Sequence, residues 1–335
     1  MIVAQVGQCG IQIGNYIQTL LDDGDAQLVV DTERKVWRKH LSLYKDQTVY
    51  KDLGTGGRGN NWACGYSDPM DVMESFRKAC EITPSNSMLL VHSLGGGTGS
   101  GLGSRLAVEI RDDYPKMTIA TCSVLPLATG ETCLQNYNAV LSLASLSRNV
   151  DIIGLVANTL LDGPLSDMNR YISECLRDML VSKYLQDLIV NVTPNPQMAI
   201  AQFAHTSGVQ SWQDATSLLT RKIFSIESHK PRCFGAVLRT RGPKILPALK
   251  LDRISKRLGQ CGNIELRASV CTEQHLNICY NSTTSAYMIE PIVQICEQQY
   301  LHKAYLHWYT RYVDESVIGD AIEDLHSIVT DYYQS

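Results

Sequence analysis

Apolar residues along this chain fall into short runs that end in glycine turns, and several turns open directly into helical spacing. Residues 2–6 read as a strand, and behind Gly7, Gly10 and Gly14 the apolar positions Ile17, Leu20 and Leu21 fall at helical intervals. Leu28-Val29-Val30 is a second strand, closing on Asp31-Thr32-Glu33. The stretch 89–103 repeats the arrangement most sharply: an apolar run, five glycines within residues 95–101, then Leu102, Leu106 and Ile110 on one helix face until Tyr114-Pro115 stops it. Residues 117–125 and 150–157 are further strands, and a helix opens at Gln135-Asn136-Tyr137-Asn138. Another helix is expected over residues 166–182, capped by Ser166 and buried along Met168, Ile172, Cys175 and Met179. The second half has strand-like runs at residues 233–238, 264–270 and 276–280, with helices between and after. Five or six strands alternating with helices predict an α/β fold: a parallel sheet with helices on both faces, followed by a smaller α+β part and C-terminal helices.

Strand–glycine–helix junctions bring bare backbone N–H groups and a helix N-terminus to an anion. No lysine follows the glycines of 95–101, so this is not the P-loop, and their spacing is not G-x-G-x-x-G. Thr98 and Ser100 add hydroxyl donors. Gln8 and Gln12 sit one helical turn apart, either as two exposed glutamines or as ligand contacts. Cys9 suits a small core position as well as a pocket. Asp31 and Glu33 at a strand end suit a hydrated magnesium, or cap the segment that follows.

A chain of 335 residues with 44% apolar content has room for two packed domains. A net charge of −4 argues against a general nucleic-acid binder, and no apolar run reaches a membrane span. Eleven scattered cysteines and a start lacking a basic signal region point to a reducing, cytosolic setting. Cys271, His275 and Cys279 have metal-like spacing but no fourth ligand, which disfavours a zinc finger. No nucleophile elbow marks a hydrolase. Residues 221–257 hold eleven Lys and Arg against Glu227 and Asp252, either a solvated face or a dock for an acidic peptide.

Taken together, G-Q-C-G-I-Q-I-G at 7–14, G-R-G-N-N-W-A at 57–63 and G-G-G-T-G-S-G at 95–101 resemble the nucleotide loops of the tubulin superfamily. So do Leu134-Gln135-Asn136-Tyr137-Asn138, Asp167-Met168-Asn169, Val192-Thr193-Pro194-Asn195-Pro196, Asn281-Ser282-Thr283 and K-A-Y-L-H-W-Y-T at 303–310. The likeness runs through nearly the whole chain in order, more weakly between residues 197 and 260. It implies GTP or GDP with Mg2+. The implied nucleotide contacts are Gln8, Cys9, Gln12, Gly59, Asn60, Ser93, Gly96, Gly97, Thr98, Gly99, Glu131, Gln135, Asn158 and Asn169, with Gln8, Asp31 and Glu33 near the metal through water. Asp187 is the implied carboxylate that orients water on a neighbouring subunit's nucleotide, or else an exposed helix-end aspartate.

The implied organisation is a nucleotide domain over 1–165, a central helix over 166–185, an intermediate domain over 186–283 and C-terminal helices over 284–335. Departures from the family are the short link 22–27, Gln135 in place of a glutamate, Leu165 in place of a stacking tyrosine, and a missing helix after Asn158. The T-G-E-x-x-x-Q-N-Y-N wording at 129–138 resembles delta tubulin, or the zeta branch. The resemblance therefore implies a cytoplasmic, cytoskeletal protein of centrioles, basal bodies or cilia, with other tubulin-family subunits or centriolar proteins as partners. A microtubule subunit and a monomeric switch or stand-alone GTPase are the alternatives.

Overall fold

A computed structural model describes residues 1–18, 21, 25–33, 38, 48–52, 56–67, 72–126, 132–157, 164–177, 185–193, 195–209, 211–224, 232–242, 252, 254–256, 258, 264–269 and 274–335. Ten strands form one sheet in the order β3-β2-β1-β4-β5-β6-β7-β10-β8-β9. They are β1 (Ile2–Val6), β2 (Ala26–Asp31), β3 (Thr48–Asp52), β4 (Ser87–Ser93), β5 (Thr118–Leu125), β6 (Ile152–Ala157), β7 (Ile200–Val209), β8 (Cys233–Arg241), β9 (Ile264–Ser269) and β10 (Gln274–Ser282). From β3 to β7 every pairing is parallel. β10 then runs antiparallel to both β7 and β8, while β9 is parallel to β8. Parallel neighbours need crossover connections, so the helices between strands must cover the two faces of the sheet.

Strand alternation sorts the side chains. Ile2, Ala4, Val6, Leu28, Val30, Met88 and Leu90 point to one face. There they meet α2 (Trp62–Tyr66), α3 (Met73–Ile82), α4 (Gly103–Asp113) and α5 (Gln135–Asn149). The same core takes in α9 (Thr284–Leu301) and α10 (Glu315–Gln334) from the end of the chain. Val3, Leu89, Val91 and Cys122 point to the other face, against α1 (Gly7–Ile17), α6 (Leu165–Leu176) and α7 (Leu185–Val192). A third cluster joins β7, β8 and β10 to α8 (Trp212–Phe224). No helix among the described residues is long and apolar enough to cross a membrane. Nine cysteines there are free thiols.

The expected α/β class is what the chain adopts, with local differences. β7 carries Ala, Gln, His, Thr and Gly between Ile200 and Val209, a composition with little strand signal, yet residues 200–206 are buried because the strand lies between β6 and β10. Edge strand β3 is likewise absent from the sequence reading. Helix α6 begins at Leu165, with Pro164 (φ −66°) as the entry residue, so Ser166 sits inside the first turn rather than capping it. Met168, Ile172 and Cys175 are buried as expected, and Met179 lies outside the described residues. The 22–27 link is described only at Asp25 and beyond, where Ala26 and Gln27 already belong to β2. Residues 225–231, 243–251, 253 and 257 of the basic segment lie outside the described residues, but Arg239 does not form a solvated face: it is only 8% exposed, on β8.

The C-terminal helix packs its apolar face on the core and is bonded to the sheet through Tyr332. The Tyr332 hydroxyl, fully buried, accepts from Ile200 N–H at 3.0 Å and faces Ile200 O at 3.0 Å and Asn281 Oδ1 at 2.9 Å. Tyr332→Phe keeps the ring and strands these groups. It is expected to lower stability by about 1–3 kcal/mol, read as an earlier midpoint in urea unfolding.

Candidate functional site

The strand order 3-2-1-4-5-6 reverses direction between β1 and β4, and the crevice at the carboxyl ends of such neighbours is where open α/β sheets bind ligands. A cavity of about 660 Å³ lies there. That volume is in the range of small-molecule sites, roughly 300–1,000 Å³. Val6 through Cys9 and Gln12 line it after β1, Asp31 and Glu33 after β2, and Ser93 with Gly95–Gly99 after β4. Residues 57–60, Val124–Pro126, Thr132 and Gln135 close two sides, and Leu165, Asn169 and Ile172 of α6 a third.

Close backbone approach shapes the floor. Gly7 has φ +74°, and a Cβ there would lie 3.0 Å from Gly99 N, so the loops after β1 and β4 meet where only glycine fits. At Gly97 a Cβ would lie 2.7 Å from Asn61 N. Beyond Gly97 the chain winds a wide π-type turn, Thr98–Leu102, before α4 begins. Such turns recur at functional sites because they spread backbone groups that a regular helix would pair. Thr98 Oγ1 lies 3.0 Å from Thr32 Oγ1, joining this loop to the end of β2.

Buried polar side chains hold the loops in place. Asn138 is fully buried on α5. Its Nδ2 donates to Asn60 O at 2.7 Å and Gly95 O at 2.8 Å, and its Oδ1 accepts from Trp62 N at 2.8 Å and Tyr309 Oη at 2.6 Å. Asn61 caps α2 through Ala63 N at 2.8 Å and donates to Trp308 O at 2.9 Å. His92, fully buried on β4, sits 2.9 Å from Gly99 O and 2.8 Å from Ser123 Oγ. A carbonyl can only accept, so Nδ1 carries the proton and Nε2 accepts from Ser123.

Asp31 is a charged group of the cavity lining with unspent bonding capacity. It is 3% exposed; Oδ1 accepts from Glu33 N at 3.1 Å, and Oδ2 is buried without a hydrogen-bond partner. Burial raises its pKa, opposed by the backbone N–H groups of Glu33 and Thr32. An orphaned carboxylate oxygen beside Glu33 and a glycine cradle fits a hydrated divalent cation, which would take up that oxygen through water.

The fold brings Gln8, Cys9, Gln12, Asp31, Glu33, Gly59, Asn60, Ser93, Gly96, Gly97, Thr98, Gly99, Gln135 and Asn169 to this one cavity. Cys9 is both things its sequence allowed, lining the cavity while packing against the core of the α1 face. Glu131 and Asn158 lie outside the described residues. Asp187 is exposed near the start of α7 and does not line the cavity. Arg58 and Thr132 were not singled out; an arginine within a glycine turn was the available signal for the first, and nothing in the local sequence marked the second.

An anion cradle at the switch point of a doubly wound sheet, with a carboxylate cluster beside it, defines a nucleotide-binding α/β protein. Residues 1–163 match the Tubulin/FtsZ family, GTPase domain. The chain is 26% identical to the tubulin beta-1 chain of Mus musculus, over 84% of this chain and 74% of that one. It is 28% identical to the tubulin beta chain of Encephalitozoon intestinalis, over 84% and 76%. The chain is thus similar to tubulin-superfamily proteins, residues 1–163 to a GTPase domain, and its strand order agrees with a tubulin-type α/β fold.

The His92 contacts set a pH dependence. Burial pushes its pKa down to about 4, partly offset by the bond to Gly99, from about 6.5 in an unfolded chain. Below pH 6.5 the unfolded chain takes up a proton that the folded chain refuses until about pH 4, so stability falls as pH falls through that window. The loss is about 3 kcal/mol at most. In urea unfolding between pH 7 and pH 4.5, His92→Gln is expected to flatten the slope; parallel slopes would disprove the assignment.

Proposed function

We propose that this chain is a guanine-nucleotide-binding tubulin-superfamily protein that takes Mg2+ with its nucleotide and acts by contact with other tubulin subunits. The observation that carries the reading is the convergence of three glycine loops and Asn169 on one cavity at the sheet's switch point. The loops after β1 and β4 present backbone N–H groups to phosphates, and Thr98 adds a hydroxyl. Asn169, 9% exposed on α6, offers an amide oxygen and two amide hydrogens to a base edge. An amide's acceptor–donor pair meets the O6/N1–H edge of guanine but also an edge of adenine, so the choice of guanine rests on the likeness to a GTPase domain. Asp31 and Glu33 would hold the cation through water, and the cation would neutralise phosphate charge there. Leu165 in place of an aromatic leaves the base less stacked, while Gln135 would bond the ribose through an uncharged amide.

The proposed division assigns residues 1–165 to nucleotide binding, 166–185 to the central helix, 186–283 to the intermediate domain and 284–335 to the C-terminal helices. We place the protein in the cytoplasmic cytoskeleton. The delta-like wording at 129–138, together with the departures at 22–27 and Leu165, favours centrioles, basal bodies or cilia over the bulk microtubule wall. A basic dock for an acidic peptide would rest on Arg221 and Lys256 rather than on Arg239 or on Lys222, whose ammonium is bonded to His205 O.

Purified protein is expected to release GTP or GDP on denaturation and to bind GTP more tightly than ATP in competition. Asn169→Ala should weaken GTP binding about 10- to 100-fold, the equivalent of about 1–3 kcal/mol for an unpaired polar group. Equal binding of ATP and GTP would defeat the guanine assignment.

Hydrolysis follows from the position of Asp187. Because it lies outside its own cavity, any part it takes in hydrolysis is on the nucleotide of a second subunit stacked head to tail; otherwise it is an exposed helix-end aspartate. Turnover per molecule is therefore expected to rise with protein concentration and to lose that rise in Asp187→Ala. A rate that ignores both dilution and the substitution would remove Asp187 from the reaction.

A further inference from the structure

Away from the nucleotide cavity, α6 lies against β7 and β10, and this seam gathers Glu174, His205 and His275. One potential ligand atom from each lies within 4.8 Å of the other two. His205 is 2% exposed. Its Nδ1 hydrogen-bonds Asn277 Oδ1, directly opposite in the β7–β10 ladder, while Asn277 Nδ2 donates to Glu174 O at 3.1 Å. The Asn277 oxygen therefore faces the ring, Nδ1 carries the proton, and Nε2 bears a lone pair. That lone pair points at Glu174 Oε2, 3.9 Å away. Neither His205 Nε2 nor Glu174 Oε2 has a hydrogen-bond partner among the described residues, and both are buried. Two acceptors turned toward each other in a protein interior repel unless a positive species sits between them.

We propose that Glu174, His205 and His275 bind a divalent d-block cation of the zinc type, through Oε2, His205 Nε2 and an imidazole nitrogen of His275, with water completing the shell. Two imidazoles and a carboxylate are a zinc-type donor set, and three protein ligands leave one open position. Bonds of 2.0–2.2 Å set tetrahedral ligands about 3.4 Å apart, so side-chain rotation closes the present spacing. Asn277 orients His205 from outside the coordination shell, the arrangement that fixes tautomer in known metal sites. Arg177 takes the other Glu174 oxygen at 2.9 Å, and Lys222 Nζ donates to His205 O at 2.8 Å while covering the Tyr171 ring at 4.2 Å. Both cations are thus engaged elsewhere than at Oε2 and Nε2. Of Cys271, His275 and Cys279, whose spacing alone disfavoured a metal site, Cys271 lies outside the described residues. Cys279 is buried in the α1-face core, and the fold supplies Glu174 and His205 from other elements.

The test uses the full chain carrying GTP and Mg2+, stripped of heavy metal and titrated with Zn2+ against a chromophoric chelator, with X-ray absorption at the zinc edge. One tight equivalent with only nitrogen and oxygen ligands is expected. Glu174→Gln, which keeps the side chain's size, and His275→Asn should each weaken it at least tenfold. Zinc bound through sulfur, no tight equivalent, or undiminished affinity in both variants would overturn the site. Nucleotide content measured on the same samples keeps this outcome separate from the nucleotide reading.

Discussion

The nucleotide cavity depends on a single buried amide. Asn138 spends all four of its hydrogen-bonding positions, two on carbonyls of separate loops and two on a helix start and a tyrosine from the far end of the chain. An amide is the only side-chain chemistry that suits this junction: a carboxylate would face two carbonyls with no donor, and an apolar group would strand every partner. A typical net hydrogen bond is worth about 1 kcal/mol, but a buried partner left unpaired costs about 1–3 kcal/mol. Four such partners around one atom group make the junction cooperative, so the loops hold their positions together or not at all.

Around that junction the electrostatics divide by element. The glycine loops contribute backbone dipoles without any lysine, so an anion is held by partial charges fixed in the fold. The negative groups stand at the end of β2, where Asp31 keeps one buried oxygen unsatisfied. Positive partial charge and a waiting carboxylate on either side of one cavity are complementary to a phosphate–cation pair and to neither ion alone.

Much of this was legible in the sequence, for local reasons. A glycine turn between a strand pattern and a helix pattern is a feature of neighbouring residues, so residues 7–14, 57–63 and 95–101 announced themselves. Asn169 followed from the resemblance of residues 167–169 to a family motif. What could not be read is what the sheet assembles from distant segments. β7 has the composition of a loop and becomes a strand because β6 and β10 pair on its two sides. His92 looked like part of a strand, and its role depends on Ser123 being opposite it. Glu174, His205 and His275 come from three elements with no shared local pattern, and Arg239 in a basic run turned out to be buried.

The bonds from Asn138 to Tyr309 and from Asn61 to Trp308 join residues 171 and 247 positions apart. Long separations of this kind are slow to close and leave partly formed surfaces waiting. They also impose an order on synthesis. While the chain is still emerging from a ribosome, its glycine loops, strands and helix α5 exist for many seconds without the segment at 306–309 that completes their tether. Until residue 309 has been made, a growing chain lacks this tether and presents an unfinished cavity and bare apolar faces to the chaperones of the cell.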